Sequence, residues 1–318
     1  MGRLRGLDGI RGLAILAVVL GHSYPFRYAM GGVAGVTLFF VLSGFLITRI
    51  LLEETSLRRF YIRRAYRLFP ALMVFLLAAG FYFGWEEALA PALYVSNYAQ
   101  IISGEISELA HTWSLAVEEH FYFVWPILVL TAPAVRKLRV LASAIVLLLV
   151  WRLVVPNDLW AYQGTLTNAY ALGLGCLLVF VADRWEPTKL LYGLSLVCWI
   201  AVGFYPVTNA TYTTVGRWLA PLAALSAFFM VWGTIKNSFE WLEWRPLAAA
   251  GRVSYGWYLW HPPFVLWFFH HHRSWVLVGA ALSFGVALLS WRLIEQPALR
   301  WRDRARSAPG ELSPTMGH

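Results

Sequence analysis

Apolar runs close in length to the hydrocarbon core of a bilayer recur along almost the whole chain. They fall at residues 9–24, 34–52, 68–84, 113–132, 138–155, 167–183, 190–206, 217–235, 253–270 and 275–295. A helix needs about 20 apolar residues to cross that core. Inside lipid every backbone N–H and C=O must find its partner within the segment, which favours helices over open sheets. The pattern predicts an all-α fold: a polytopic membrane helix bundle of about ten transmembrane helices. Only 14% of the residues are charged and 59% are hydrophobic, whereas a soluble domain carries about 25% charged residues. The stretch 88–102 is short and broken by Pro91, Asn97 and Gln100, so it reads as an interfacial or re-entrant piece.

Arginine and lysine collect in every second gap. One set of gaps holds Arg3 and Arg5, then Arg58, Arg59, Arg63, Arg64 and Arg67, then Arg136, Lys137 and Arg139, then Arg184 and Lys189, then Lys236 and Arg245, and last Arg300, Arg302, Arg304 and Arg306. The alternate gaps offer Arg27, Arg217 and Arg273. The positive-inside rule then sets both termini in the cytoplasm of a multi-pass protein of the cytoplasmic (inner) membrane. It also accounts for the net charge of +9 without nucleic acid as a partner; the lipid bilayer is the partner. The longest outer loop, from about Trp85 to Thr112, carries Glu86, Glu87, Glu105 and Glu108. It reads either as the frame of an acceptor site or as a solvated linker. Cys176 and Cys198 both lie in apolar runs and give neither a disulfide framework nor a metal spacing. The first run lacks a small-residue cleavage site and carries Arg11, so it is not expected to be a removed signal peptide. The expected division is a membrane domain over 1–300 and a basic, disordered cytoplasmic tail over 301–318.

Ionisable residues inside apolar helices are costly and usually face a protein interior or a watery cavity. Asp8, Arg11 and His22 lie on the first helix. Arg11 and His22 are eleven positions apart, about three turns, so they share a face and stand roughly 16 Å apart along the axis. Asp8 is three positions before Arg11 and within reach of it. The bland reading is a headgroup ion pair and a helix-end histidine. Arg63, Arg64 and Arg67 anchor topology, and their helical spacing also forms a cationic face whose guanidinium forks suit phosphate oxygens. In the run from His111 and Trp113 to Tyr122, Glu118 and Glu119 enter the membrane roughly 8–9 Å beyond Trp113. A carboxylate beside His22 would fix its tautomer for general-base work; a helix-end polar network is the alternative. His261 precedes Pro262 and Pro263, which open the helix toward a cavity, although core packing is the commoner role of such a histidine. His270, His271 and His272 lack an oriented outer shell and are discounted as ligands; no metal is expected.

Six segments in order resemble the membrane-bound acyltransferase 3 family. They are Arg11 to His22, Phe39-Phe40-Val41-Leu42-Ser43-Gly44-Phe45, Arg63-Arg64-Ala65-Tyr66-Arg67-Leu68-Phe69-Pro70, Trp113 to Tyr122, Ser254-Tyr255-Gly256-Trp257-Tyr258-Leu259-Trp260-His261-Pro262, and Ile294-Glu295-Gln296-Pro297. His120 departs from the glutamine that the family pattern leads one to expect, and adds a second proton carrier. The resemblance implies an integral membrane O-acyltransferase. It would take an acyl group, most simply acetyl, from cytosolic acyl-CoA as donor substrate, with no bound cofactor. The acceptor would be a hydroxyl of a glycan, a lipid-linked sugar or a small molecule. His22 would be the base, with Glu118 or Glu119 orienting it and Arg11 in the catalytic set. Arg63, Arg64 and Arg67 would hold acyl-CoA. Asp8, His111, Trp113, Tyr122 and His261 would border the acceptor cavity. Many members carry a hydrolase-like domain after the helices, and this sequence is expected to represent the standalone form. The rival reading is a proton-coupled transporter with His22, Glu118 and Arg11 as a relay; it predicts broken helices and repeat symmetry between halves.

Overall fold

A computed structural model describes residues 6–23, 29–54, 56–131, 134–184, 186–237, 239–272 and 275–307. Arg3, Arg5, Arg27, Arg273 and the tail beyond Ser307 lie outside the described residues. Among the described residues every regular element is helical, apart from one isolated bridge between Ala29 and Pro206. In chain order these are α1 (Leu7–His22), α2 (Gly31–Glu53), α3 (Leu57–Phe83), α4 (Trp85–Ala92) and α5 (Ser96–Ser103). A 3₁₀ turn (Ala110–Thr112) leads into α6 (Trp113–Thr131), followed by α7 (Ala134–Val154), α8 (Asp158–Gln163), α9 (Thr165–Val181), α10 (Lys189–Gly203) and α11 (Tyr212–Lys236). A second 3₁₀ turn (Glu240–Glu243) precedes α12 (Arg245–Arg252), α13 (Ser254–His271) and α14 (Val276–Ser290). A π-turn (Trp291–Glu295) then joins α14 to α15 (Gln296–Ser307).

The helical class agrees with the sequence. Among the described residues five stretches are long and apolar enough to cross a bilayer: 31–53, 57–83, 158–181, 212–236 and 276–304. The other expected spans are helices that are shorter or more polar. Helix α1 has 16 residues and α10 has 15, below the length of the hydrocarbon core. Helix α7 carries Arg136, Lys137, Arg139 and Arg152, while α6 and α13 are diluted by Glu, His, Trp, Tyr and Pro. Segment 88–102 is the pair of short helices α4 and α5, in keeping with its interrupted sequence.

Two boundaries differ from expectation. The basic stretch Arg58–Arg67 is not a loop but the first turns of α3, where the Ser56 Oγ accepts from the Arg59 N–H as an N-cap. Residues 301–307 of the expected tail are helical. Helix α15 runs to Ser307 and lies against α3, with Trp301 edge-on to Tyr66 at 5.4 Å between ring centroids.

Helix α2 is central and packs against α1, α6, α9, α10 and α11. Glycines bring its backbone against its neighbours. A Cβ built on Gly175 of α9 would lie 1.9 Å from the Val41 carbonyl oxygen, and one built on Gly44 1.9 Å from that of Leu172. Small residues at such crossings permit close approach of helices in a membrane. Gly175→Ala is therefore expected to destabilise the protein by about 1–3 kcal/mol through overpacking. Gly285→Ala, where nothing lies within 4 Å, is expected to be neutral or slightly stabilising. Thermal melts in detergent of the two variants compare them directly; equal melting temperatures would refute the close-packing account.

A fully buried arginine ties the other side of the bundle. Arg152 of α7 donates from Nε to the Arg217 carbonyl (3.2 Å), and from Nη2 to that of Gly216 (2.9 Å). Its Nη1 serves the Ala161 carbonyl, the Thr167 carbonyl and the Asn168 Oδ1. One guanidinium thus joins α7, α8, α9 and α11. Beside it Arg217 pairs with Asp158 at 2.6 Å.

Candidate active site

A cavity of about 260 Å³ opens between α1, α2, α3, α6 and α13. Arg11, Arg64 and Arg67 contribute its cations, Ser43, Glu118 and Tyr122 one wall, and Ser114 and Tyr258 another. The guanidiniums are partnered to different degrees. Arg11 Nη1 pairs with Asp8 Oδ1 at 3.3 Å, as their three-residue spacing predicts. Arg64 donates to Glu119 Oε1 from Nη2 at 2.7 Å and Nε at 3.1 Å, and its carbon centre stands 3.2 Å over the Tyr122 ring. Arg67 carries no ion pair among the described residues and remains exposed. It is therefore the cavity cation with the most capacity left for an anionic ligand. Arg63 does not line the cavity; it pairs with Glu54 at 3.1 Å.

The carboxylates stand at the Arg11 end of α1, not beside His22. Glu118 accepts from the Ser43 Oγ–H at 2.8 Å, and Glu119 is held by Arg64. The reason is rotation as much as depth: α6 turns these residues toward α2 and α3. His120 turns elsewhere again, with Nδ1 2.8 Å from the Thr165 hydroxyl and its ring stacked on Tyr98. It does not border the cavity.

His22 keeps a defined orientation by other means. Its Nδ1 lies 2.8 Å from the Val18 carbonyl one turn earlier. A carbonyl only accepts, so Nδ1 bears the hydrogen and Nε2 of the neutral ring is a lone pair. The His22 ring meets that of His261 edge-on, with centroids 5.1 Å apart. His261 in turn meets His111 at 5.8 Å. His111 and His261 are buried, as is Trp113, which packs on Phe40 and Tyr162.

Tyr258 connects this histidine cluster to the cavity. Its hydroxyl donates to the His111 carbonyl at 2.6 Å and lies 2.7 Å from Ser114 Oγ. Since the phenol has one hydrogen, Ser114 donates to it. The Tyr258 ring touches both His111 and His261, with centroids 5.6 and 5.7 Å apart. Ser43, Ser114 and Tyr258 are site residues that the reading of charged groups passed over. Their signal in the sequence was polar residues within the apolar segments Phe39–Phe45, Trp113–Tyr122 and Ser254–His261. The described His, Cys, Asp and Glu residues form no group of three that could hold a metal ion.

The family model described as an acyltransferase domain matches residues 4–294. The peptidoglycan O-acetyltransferase OatA of Listeria monocytogenes is 32% identical over 92% of this chain and 55% of its own length. O-acetyltransferase OatA of Staphylococcus aureus is 27% identical over 92% of this chain and 57% of its own length. The chain thus spans a little over half the length of these curated relatives. No solved structure matches.

Proposed function

Because the chain belongs to the acyltransferase domain family, we propose that it is an integral membrane O-acyltransferase. It moves an acetyl group from cytosolic acetyl-CoA to a hydroxyl of a cell-envelope glycan, a lipid-linked sugar or a small molecule. The observation that carries this reading is the cavity itself: three guanidiniums, and a wall that ends at Tyr258 in ring contact with the histidine cluster. The relatives named for peptidoglycan favour a glycan acceptor.

Each residue has a task in this reading. Arg67, with Arg64 and Arg11 behind it, holds the phosphates of the donor through charge-assisted bonds worth about 1.5–3 kcal/mol each. The pantetheine arm runs along the face of α1 from Arg11 toward His22, roughly 16 Å by helix rise. His22 Nε2 takes the proton of the acceptor hydroxyl as its oxygen attacks the thioester carbonyl. The carbon–oxygen bond forms, the carbon–sulfur bond breaks, and the proton passes from His22 to the departing thiolate. Glu118 and Glu119 act on the donor side, through Ser43 and Arg64. The arginine asymmetry supports cytoplasmic termini, with the Arg11 end of α1 inside and the His22 end toward the outer face of the cytoplasmic membrane.

Oriented vesicles with radiolabelled acetyl-CoA supplied to one face at a time test the reading. Label transfer is expected only from the face bearing Arg67. Arg67→Ala should raise the donor KM by about tenfold, the equivalent of about 1.4 kcal/mol, with little change in acceptor KM, and added salt should do the same in part. Transfer from the opposite face, or a donor KM unchanged in this variant, would reject the path.

A further inference from the structure

Helix α13 contains two adjacent prolines, Pro262 and Pro263. Proline has no N–H, so the carbonyls four residues earlier, Tyr258 and Leu259, lose their helical donors. Within a membrane bundle an orphaned carbonyl must find another donor. For Tyr258 that donor is the His261 side chain, whose Nδ1 lies 2.9 Å from the carbonyl oxygen and 3.1 Å from that of Trp257. Both partners only accept, so Nδ1 bears the hydrogen and Nε2 is a lone pair. The His261 side chain is fully buried and its Nε2 has no hydrogen-bond partner. Buried polar atoms are nearly always partnered, and an exception calls for a reason. The titratable groups around this ring are His22 from α1, His111 from the 3₁₀ turn and Tyr258 from α13 itself.

We propose that His261 is a positioning residue for His22, and that Pro262 sets its tautomer. The inference rests on His22 being the base. When His22 takes the hydroxyl proton it becomes an imidazolium whose Nδ1–H stays on the Val18 carbonyl. The His261 Nε2 lone pair, in the adjoining ring, favours that cation while the thioester collapses. The proton then goes to the departing sulfur, so His261 neither gains nor loses one over the cycle. This is the role that sequence reasoning gave to a carboxylate, filled here by a neutral group. A neutral acceptor holds the cation less tightly than a carboxylate does, which suits a proton that must be passed on.

The test uses membrane vesicles carrying the full chain, acetyl-CoA as donor and glycan extracted from the host envelope as acceptor, with kcat and donor KM measured separately. His261→Phe keeps a flat aromatic ring and removes the nitrogens; it is expected to lower kcat about 10- to 100-fold, the scale for losing the group that orients a functional histidine, at unchanged donor KM. His261→Gln restores an acceptor oxygen and should recover part of that loss. Pro262→Ala returns a backbone donor to the Tyr258 carbonyl, competes with His261 Nδ1 for the nearer of its two acceptors, and should lower kcat in the same sense without touching the side chains. The proposal is overturned if His261→Phe turns over normally, or if its loss is not relieved by Gln and not reproduced by Pro262→Ala. Should His261→Phe fail to insert, the Gln and Pro262→Ala arms decide. Normal turnover by His22→Ala is a different failure, since it removes the base itself.

Discussion

His22→Ala is expected to insert and fold as the parent does and to lose acyl transfer by at least about 10²-fold, the usual contribution of a positioned general base. The fold should survive because the His22 side chain is half-buried and its Nδ1 is held by its own helix, at the Val18 carbonyl. The rate should not, because within the proposed path the hydroxyl proton has no other assigned acceptor. Glu118 is engaged by Ser43 and Glu119 by Arg64, both at the far end of α1. His120 is turned to Thr165. Release of free thiol from acetyl-CoA by purified protein in vesicles, scored against a melt of the same sample, separates lost chemistry from lost fold. Turnover close to the parent's in a well-folded variant would remove His22 from the mechanism.

The largest stability effect should come from Arg152→Met. The side chain is fully buried, and its hydrogen bonds run to four backbone carbonyls and one side-chain amide on three helices other than its own. Methionine keeps much of the volume but leaves those acceptors without their donor, each at about 1–3 kcal/mol when buried. Backbone relaxation recovers part of this, so a net loss of about 3–5 kcal/mol is expected. Arg152→Lys should rescue little. An ammonium carries the charge but not the planar fork that reaches the Ala161, Gly216 and Arg217 carbonyls together. Thermal denaturation in detergent gives the comparison; a lysine variant as stable as the parent would show that charge, not the fork, is what the site requires.

The sequence made the helical class and the Asp8–Arg11 pair legible because both depend on local spacing alone. The helical nature of the arginine stretch at 58–67 was also written there, in Ser56 as its cap and in the repeat of Arg63, Arg64 and Arg67, but a run of cations between apolar segments reads first as a loop. The partners of Glu118 and Glu119 were not legible. Whether α6 turns them toward His22 or toward Ser43 and Arg64 depends on the rotation of that helix against α2 and α3, which tertiary packing sets. Arg152 was hidden for a related reason. Its partners are carbonyls, and the residue types in a sequence say nothing about which carbonyls will lack donors. The pair Pro262–Pro263 is the exception, since proline announces such a carbonyl four residues ahead.

The hydrogen bond from His22 to the Val18 carbonyl has a genetic corollary. An orienting carboxylate can be lost by one nucleotide change and silenced by acid. A main-chain oxygen suffers neither, because every amino acid at position 18 supplies it. The aim of the imidazole is thus inherited with the helix, and drift at residues 118 and 119 can retune the proposed donor end of the cavity while the proposed base keeps its tautomer. Only an edit to the backbone reaches it: an ester in place of the amide between Val18 and Val19, made by chemical synthesis, weakens that carbonyl as an acceptor and leaves every side chain as it was.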